Sequence, residues 1–233
     1  MFANTGREHS ATLDFVRQVE EAWCPVTWVE YRNDATGFAE VTHATAARDG
    51  EPFAALIGRK NYLPNPIARF CTSDLKVIPM RKAMQKRCLP DFCTVLGLRA
   101  DEERRVAKLR NDPERDISMP LADAGVTRED VLAWWKRQPF DLRLPNDDPA
   151  FGNCDLCFLK GYPQMLSLIQ EKPERAVWWA KMESKIQSSG EFRGEGARFR
   201  KDRPGYAEMM NFAKTQGDMF GSSEEGLSCF CGD

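Results

Sequence analysis

The sequence predicts an α/β protein with a parallel sheet, followed by a helical C-terminal part that carries cysteines. Up to about residue 145, short β-rich runs alternate with amphipathic helical segments, which is typical of βα units in a parallel sheet. Beyond that point the periodicity is helical only, and a Cys-x-x-Cys pair precedes the helices. We therefore expect two regions, residues 1–145 and residues 146–233.

The individual elements follow from local pattern. Runs of β-branched and aromatic residues predict strands at residues 2–4, 26–31, 92–98 and 117–121. Apolar residues at helical spacing predict helices at residues 10–23, 52–59, 74–87, 157–170, 173–186 and 206–214, with another beginning at Thr127. Pro79 interrupts one of these helices, and residues 187–204 read as a mobile loop. The tryptophan pairs of the helical runs are expected to pack in the core: Trp134, Trp135, Trp178 and Trp179.

The composition is that of an ordinary globular protein. The chain has 233 residues, of which 42% are hydrophobic and 29% charged, so a sizeable core is expected. A formal net charge of -2 argues neither for nor against a nucleic-acid partner. No apolar run approaches the roughly 20 residues of a membrane helix, and the N-terminus does not have the pattern of a signal peptide. These features predict a cytoplasmic protein without a membrane partner.

The cysteines are the most informative residues for function. Eight cysteines in a reducing compartment favour metal binding or catalysis over disulfides. Cys154 and Cys157 are three positions apart and can ligate one metal atom or one iron–sulfur cluster. Cys71 lies among the cations Arg69, Lys76 and Arg81, which favour its thiolate. The spacing alone fits zinc as well as iron–sulfur.

Two loops at predicted strand ends have the composition of ligand-binding loops. Ligands of open α/β sheets bind at the carboxyl ends of the strands. Asn4-Thr5-Gly6 offers small polar groups and backbone amides to an anion or nucleotide, and a turn with a helix cap is the structural alternative. Residues 97–102 place Gly97, Arg99 and Asp101 at a second strand end. An arginine there can pair with phosphate, and a solvated charge cluster is the alternative.

Taken in order, these motifs resemble the phosphoadenosine phosphosulfate reductase family, in the branch found in phages and prophages. That family belongs to the PP-loop adenine-nucleotide α-hydrolase superfamily, and the resemblance extends over nearly the whole chain. The segments that carry it are Phe2-Ala3-Asn4-Thr5-Gly6, Arg69-Phe70-Cys71-Thr72 with Lys76 and Pro79, Gly97-Leu98-Arg99-Ala100-Asp101-Glu102, Pro120-Leu121-Ala122-Asp123 and the Cys154/Cys157 pair.

The resemblance implies a Rossmann-like sheet that binds ATP or an adenylyl sulfate beside a [4Fe–4S] cluster. Matched residue by residue, Asn4, Thr5, Gly6 and Gly97 would contact the nucleotide. The residues that would neutralise phosphate or sulfate and serve catalysis are Arg69, Lys76, Arg99 and Asp101. The cluster would be held by Cys71, Cys154, Cys157 and Cys231, with zinc as the alternative metal and Cys229 as the alternative fourth ligand.

Two departures from the family pattern qualify this expectation. The family's Ser-Gly-Gly-x-x-Ser phosphate loop is absent, and a strand, loop and helix of roughly 30 residues should precede Phe2. An upstream start, a partner chain or homo-oligomer that supplies the loop, or loss of the activity would each explain this. The second departure is that Cys71 stands between Phe70 and Thr72, where iron–sulfur members have tandem cysteines.

Two functions therefore remain open at this point. The first is an enzyme of sulfur or adenylyl chemistry, acting on an adenylyl sulfate or on a nucleic acid to be thiolated. The second is a non-catalytic relative that binds a nucleotide, nucleic acid or partner protein and has a structural zinc site. The basic stretch 193–203 would serve as a nucleotide lid or a nucleic-acid contact, or simply as a solvated loop.

Overall fold

The computed structural model describes residues 1–87, 92–111, 117–145, 151–152, 154–188 and 197–215. The strands found there are β1 Phe2–Asn4, β2 Trp28–Tyr31, β3 Phe38–Val41, β4 Thr94–Val95 and β5 Ile117–Ser118. The helices are α1 Ser10–Ala22, α2 Glu51–Lys60, α3 Phe70–Thr72, α4 Ile78–Lys86, α5 Glu103–Arg110, α6 Pro120–Asp123, α7 Arg128–Trp135, α8 Tyr162–Glu171, α9 Glu174–Ser188 and α10 Tyr206–Thr215. A π-helical turn, Ser73–Val77, joins α3 to α4.

Contacts divide the chain into two units that differ from the predicted regions. The first unit combines residues 1–83 with residues 143–233, and the second spans residues 84–142. The mixed α/β class is confirmed, and each unit contains one parallel strand pair. Within the described residues, no helix has the length and apolar character needed to cross a membrane.

The sheet of the first unit has the order β1-β2-β3. The β1–β2 pair is parallel, as predicted, with Phe2 opposite Trp28 and α1 as the connection between them. The β2–β3 pair is antiparallel, and β3 was not among the predicted strands. A short turn makes this possible, because the carboxylate of Asp34 accepts the amides of Thr36 and Gly37 at 2.9 Å.

The main core lies between α2 and the three C-terminal helices. Trp179 and Tyr206 stack with ring centroids 5.3 Å apart, and Phe199 meets both rings edge-on. Phe53 and Phe158 are also fully buried there. The predicted helical C-terminal part is therefore observed, with α10 packed against α8 and α9.

Pro79 shapes the helical segment that carries Cys71. A proline inside a helix cannot donate a backbone hydrogen bond, and its ring clashes with the carbonyl four residues earlier. The chain responds with the π turn, in which the amide of Ile78 reaches back to the carbonyl of Ser73. The interruption predicted at Pro79 is therefore a widened turn just before it.

The second unit has a small core formed by Leu98, Leu109 and Met119. The two-stranded sheet β4–β5 is parallel, and α7 begins with a capping box between Thr127 and Asp130. The expectation that Trp134 packs in the core was wrong, since its exposed fraction is 39%. No residue of α7 is fully buried, although the rings of Trp134 and Trp135 meet edge-on with their centroids 4.7 Å apart.

Candidate functional site

The Cys154–Cys157 segment forms a tight turn against the loop that follows β1. Cys154 makes an antiparallel bridge with Glu8, and the amide of Asp155 donates to the carbonyl of Arg7 at 2.6 Å. The amide of Cys157 returns to the carbonyl of Cys154 at 3.2 Å, which closes the turn. Two thiols three positions apart in the sequence are thus held beside the carboxyl end of β1.

Cys71 lines the same pocket as Cys154 and Cys157. The pocket lies within the first unit and has a cavity volume of about 20 Å³. Arg69 and Lys76 also line it, so two of the four predicted catalytic residues accompany three of the four predicted metal ligands. The structure therefore brings together residues that are far apart in the sequence.

The remaining walls of the pocket combine hydroxyl and apolar groups. Thr5 and Thr72 lie beside the thiols, and the apolar lining includes Phe53, Leu75 and Trp179. Trp179 is fully buried, and within the described part of the chain its indole N–H has no hydrogen-bond partner. The indole N–H is therefore a buried donor next to the pocket.

The three cysteines line one pocket but do not form a closed coordination shell. Among the described residues, no three histidine, cysteine, aspartate or glutamate side chains form a group able to hold a metal ion. The five described cysteines, including Cys71, Cys154 and Cys157, are thiols rather than disulfides. Cys229 and Cys231 lie outside the described residues. The donor set itself, thiols beside cations, is suited to an iron–sulfur cluster or zinc.

The loop Asn4-Thr5-Gly6 uses its polar groups within the protein. The amide of Thr5 donates to the Glu8 carboxylate at 2.9 Å, and the amide of Gly6 donates to Oδ1 of Asn4 at 3.1 Å. The Thr5 hydroxyl also bonds to Glu8 and lies 3.5 Å from the sulfur of Cys154. Thr5 is the residue of this loop that lines the pocket. The role of the loop in nucleotide binding stays a prediction.

Gly97, Arg99 and Asp101 belong to the second unit, whereas the pocket belongs to the first. The guanidinium of Arg99 pairs with Asp101 at 3.0 Å and with Glu102 at 3.7 Å. The hydrogen bond from Arg99 lowers the pKa of Asp101. A Cβ added at Gly97 would meet nothing within 4 Å, so packing does not explain the glycine.

Residues 197–203 are the described part of the basic stretch, and their side chains make contacts within the chain. Residues 193–196 lie outside the described residues. Arg198 pairs with Glu208 at 3.0 Å, and Arg200 pairs with Asp202. Arg203 turns inward and donates to two carbonyls. These contacts use much of the charge that a nucleic-acid contact would need, and that contact stays a prediction.

Sequence reasoning missed the arginines that flank the thiol turn. Asp155, within the Cys-x-x-Cys pair, accepts from Arg7 at 3.1 Å and from Arg175 at 3.5 Å. Arg7 lies over the ring of Trp178 at 5.1 Å, and Arg175 lies over Phe151 at 4.8 Å. A charged residue between two cysteines is a weak signal, and its partners lie far away in the sequence.

His9 lies beside these arginines and caps α1. Its Nδ1 accepts the amide of Ala11 at 3.2 Å, and its ring meets Phe151 edge-on. Burial lowers the pKa of His9, and the positive charge of Arg175 lowers it further. The contact to Ala11 makes His9 the N-cap residue of α1.

Comparison with known proteins gives one phage relative. The chain is 33% identical over 170 residues to a protein of Escherichia phage lambda described as "Uncharacterized nin region protein ORF290". The match covers 69% of this chain and 56% of the phage protein, so the chain spans little more than half of that relative's length. No family model matches the chain, and no solved structure matches it.

Proposed function

We propose that this chain is a phosphoadenosine phosphosulfate reductase-like protein that holds a [4Fe–4S] cluster in the pocket lined by Cys71, Cys154 and Cys157. The single observation that carries the proposal is the meeting of these three thiols with Arg69 and Lys76 in one pocket. Cys231 would be the fourth ligand, with Cys229 as its alternative.

The chemistry of the pocket suits an oxyanion next to a thiolate-bound metal. Thiolates are the usual ligands of iron–sulfur clusters. When bound, such a cluster would supply electrons, or an iron that holds sulfide, for sulfur chemistry. Arg69 and Lys76 would orient and neutralise a phosphate or sulfate group beside it, because cations in a partly enclosed site interact strongly with anions. The substrate would be ATP or an adenylyl sulfate, and a similar phage protein is consistent with the proposed branch.

The family resemblance also implies a nucleotide ligand. Asn4, Thr5, Gly6 and Gly97 would contact the nucleotide, with Arg99 and Asp101 in a closing loop, as the family resemblance implies. A phosphate loop from another segment or chain would have to cradle the phosphates. The fold would then be the Rossmann-like arrangement of the PP-loop superfamily, of which the β1–β2 pair with α1 is one unit.

A non-catalytic protein with a structural zinc site is the second candidate. The observation that favours it is that the amides of Thr5, Gly6 and Arg7 already donate to Glu8, Asn4 and Thr5. Amides that are satisfied within the protein have less to offer a phosphate. Four thiolates in tetrahedral geometry would close such a zinc site.

Anaerobic purification followed by an absorption spectrum and metal analysis separates the two candidates. The cluster predicts brown protein with about four irons per chain and a visible band that bleaches on reduction. Colourless protein with one zinc would favour the structural site, and protein without either metal would overturn both. Measuring ATP binding on the same sample tests nucleotide binding independently of the metal.

A further inference from the structure

We propose that Arg203 and Tyr206 are positioning residues that hold the Cys154–Cys157 turn in the conformation that lines the pocket. This inference rests on the proposed metal centre and adds the residues that keep its ligands in place. Arg203 lies just before α10, in a stretch predicted to be a mobile loop, and Tyr206 is the first residue of that helix. Arg203 was predicted only as part of the basic stretch 193–203, and Tyr206 was not a predicted site residue.

The contacts of these two side chains converge on the backbone of the turn. The hydroxyl of Tyr206 donates to the carbonyl of Leu156 at 2.7 Å. The two terminal nitrogens of Arg203 donate to the carbonyls of Phe158 and Lys160 at 2.9 and 2.8 Å. A planar guanidinium has donors at fixed spacing, so this double contact sets the direction of the chain as well as its position.

Leu156 shows why the turn needs such support. Its φ is +45°, in the left-handed region that L side chains rarely adopt. Backbone strain of this kind persists only where the surroundings over-determine the conformation. The side chain of Leu156 is fully buried, and its carbonyl is the group that Tyr206 holds. The strained residue lies between the two thiols.

Arg203 and Tyr206, called the clamp from here on, are themselves anchored to the core. The carboxylate of Glu183, in α9, accepts the amide of Tyr206 at 2.9 Å and the amide of Phe199 at 3.2 Å. The ring of Tyr206 stacks on Trp179, which lines the pocket. The two carbonyl partners of Arg203 are uncharged, and the carboxylate of Asp202 is the negative charge that acts on its guanidinium.

The first test compares metal retention in Tyr206→Phe, Arg203→Lys, Arg203→Gln and the control Arg200→Gln, which breaks an ion pair outside the turn. Replacing a residue that orients a metal ligand typically lowers metal affinity by about 10- to 100-fold. We expect loss of iron to a chelator to be about tenfold faster in the first three variants. Arg203→Gln should also shift the reduction potential to more negative values, because it removes positive charge near the cluster. Arg203→Lys should leave the potential close to that of the wild type.

The second test needs no metal, so it separates failure of the clamp from failure of the proposed function. In metal-free protein, alkylation of Cys157, which is 5% exposed, should be several-fold faster in Tyr206→Phe and Arg203→Gln than in Arg200→Gln. The alkylation rate of Cys71 should be the same in all variants. If Tyr206→Phe and Arg203→Gln do not fold, the same comparison is made with Arg203→Lys. An unchanged alkylation rate of Cys157, or an equal increase in the alkylation rate of Cys71, would contradict the positioning role of Arg203 and Tyr206. Wild-type protein without metal would overturn the proposed function instead.

Discussion

Asn4 and Glu30 form a buried polar contact at the end of β1. The side-chain amide of Asn4 donates to the Glu30 carboxylate at 2.7 Å, and the amide of Ala47 donates to the same oxygen at 2.6 Å. Buried carboxylates are tolerated when hydrogen bonds of this kind replace water. The sequence indicated that Asn4 is important, but it could not show that a carboxylate 26 residues away uses its amide.

Glu183 gives a pH-dependent prediction at the same scale. Burial raises the pKa of Glu183 above its ordinary value of 4.5, although the amides of Tyr206 and Phe199 act in the opposite direction. The folded protein therefore binds this proton more readily than the unfolded chain. The resulting stabilisation is fully present below about pH 4.5 and is lost as the pH rises through the raised pKa.

Replacing Glu183 with Gln removes this titration. We expect the free energy of unfolding of the wild type, relative to Glu183→Gln, to fall as the pH rises above 4.5. Urea unfolding of both proteins over a pH series measures the difference. Glu21→Gln, at a surface ion pair with Arg17, controls for general charge effects. A relative stability that rises with pH would contradict the assignment.

The elements of the first unit were predictable where pattern and packing agree. The aromatic and β-branched run ending at Tyr31 formed a strand as expected. β3 was missed because Phe38–Val41 is short and follows a polar stretch, although a Thr-Gly turn after an aromatic strand is a hairpin signal. In the second unit, α5 was missed because charged residues dominate Glu103–Arg110 and obscure its apolar positions.

A close approach between loops gives a prediction at the scale of elements. Gly50 has a φ of +82°, and a Cβ there would lie 2.6 Å from Trp178 and 2.7 Å from Arg7. Gly37 has a similar φ of +74°, but its Cβ would meet the flexible end of Lys82. Gly37→Ala should therefore cost about 1 kcal/mol, the backbone term alone.

Gly50→Ala should cost about 1–3 kcal/mol more than Gly37→Ala, because the ring of Trp178 and the stem of Arg7 must move. Chemical unfolding of the two variants beside the wild type gives the comparison. Equal losses in both variants would mean that the loop is not packed as tightly against α9 as the structure indicates. The tight packing matters for function because Arg7 also holds Asp155 in the thiol turn.

The sequence predicted the cysteine pocket better than it predicted the nucleotide loops. Thiols, cations and their order along the chain are visible in sequence, and Cys71, Cys154 and Cys157 do line one pocket. The hydrogen-bond partners of the Asn4–Gly6 amides depend on Glu8, whose side chain folds back into the loop. Such local competition for amides cannot be read from residue types alone.

At the scale of the whole molecule, the two units differ greatly in core size. The buried cluster of the second unit consists of Leu98, Leu109 and Met119 among the described residues. The main core of the first unit extends from Tyr31 to Met209 and includes several aromatic residues. Local stability follows the amount of buried apolar contact. The predicted boundary at residue 145 differs from the observed units, because a sequence pattern does not show which segments return to a common core.

Hydrogen exchange should therefore separate the two units. We expect amides of β4, β5 and α5 to exchange with a lower opening free energy than amides of α2, α8 and α9. Exchange followed by mass spectrometry of peptides from each element gives the comparison. Equal protection in both sets would show that the chain opens as one cooperative unit.

The central claim is that Cys71 and the Cys154/Cys157 pair bind one metal centre, and the iron content of Cys71→Ser tests it most directly. Anaerobically purified wild type and the exposed control Cys24→Ser should both contain about four irons per chain. Cys71→Ser should lose most of that iron together with the visible absorption band. Wild-type iron content and an unchanged spectrum in Cys71→Ser would contradict the claim.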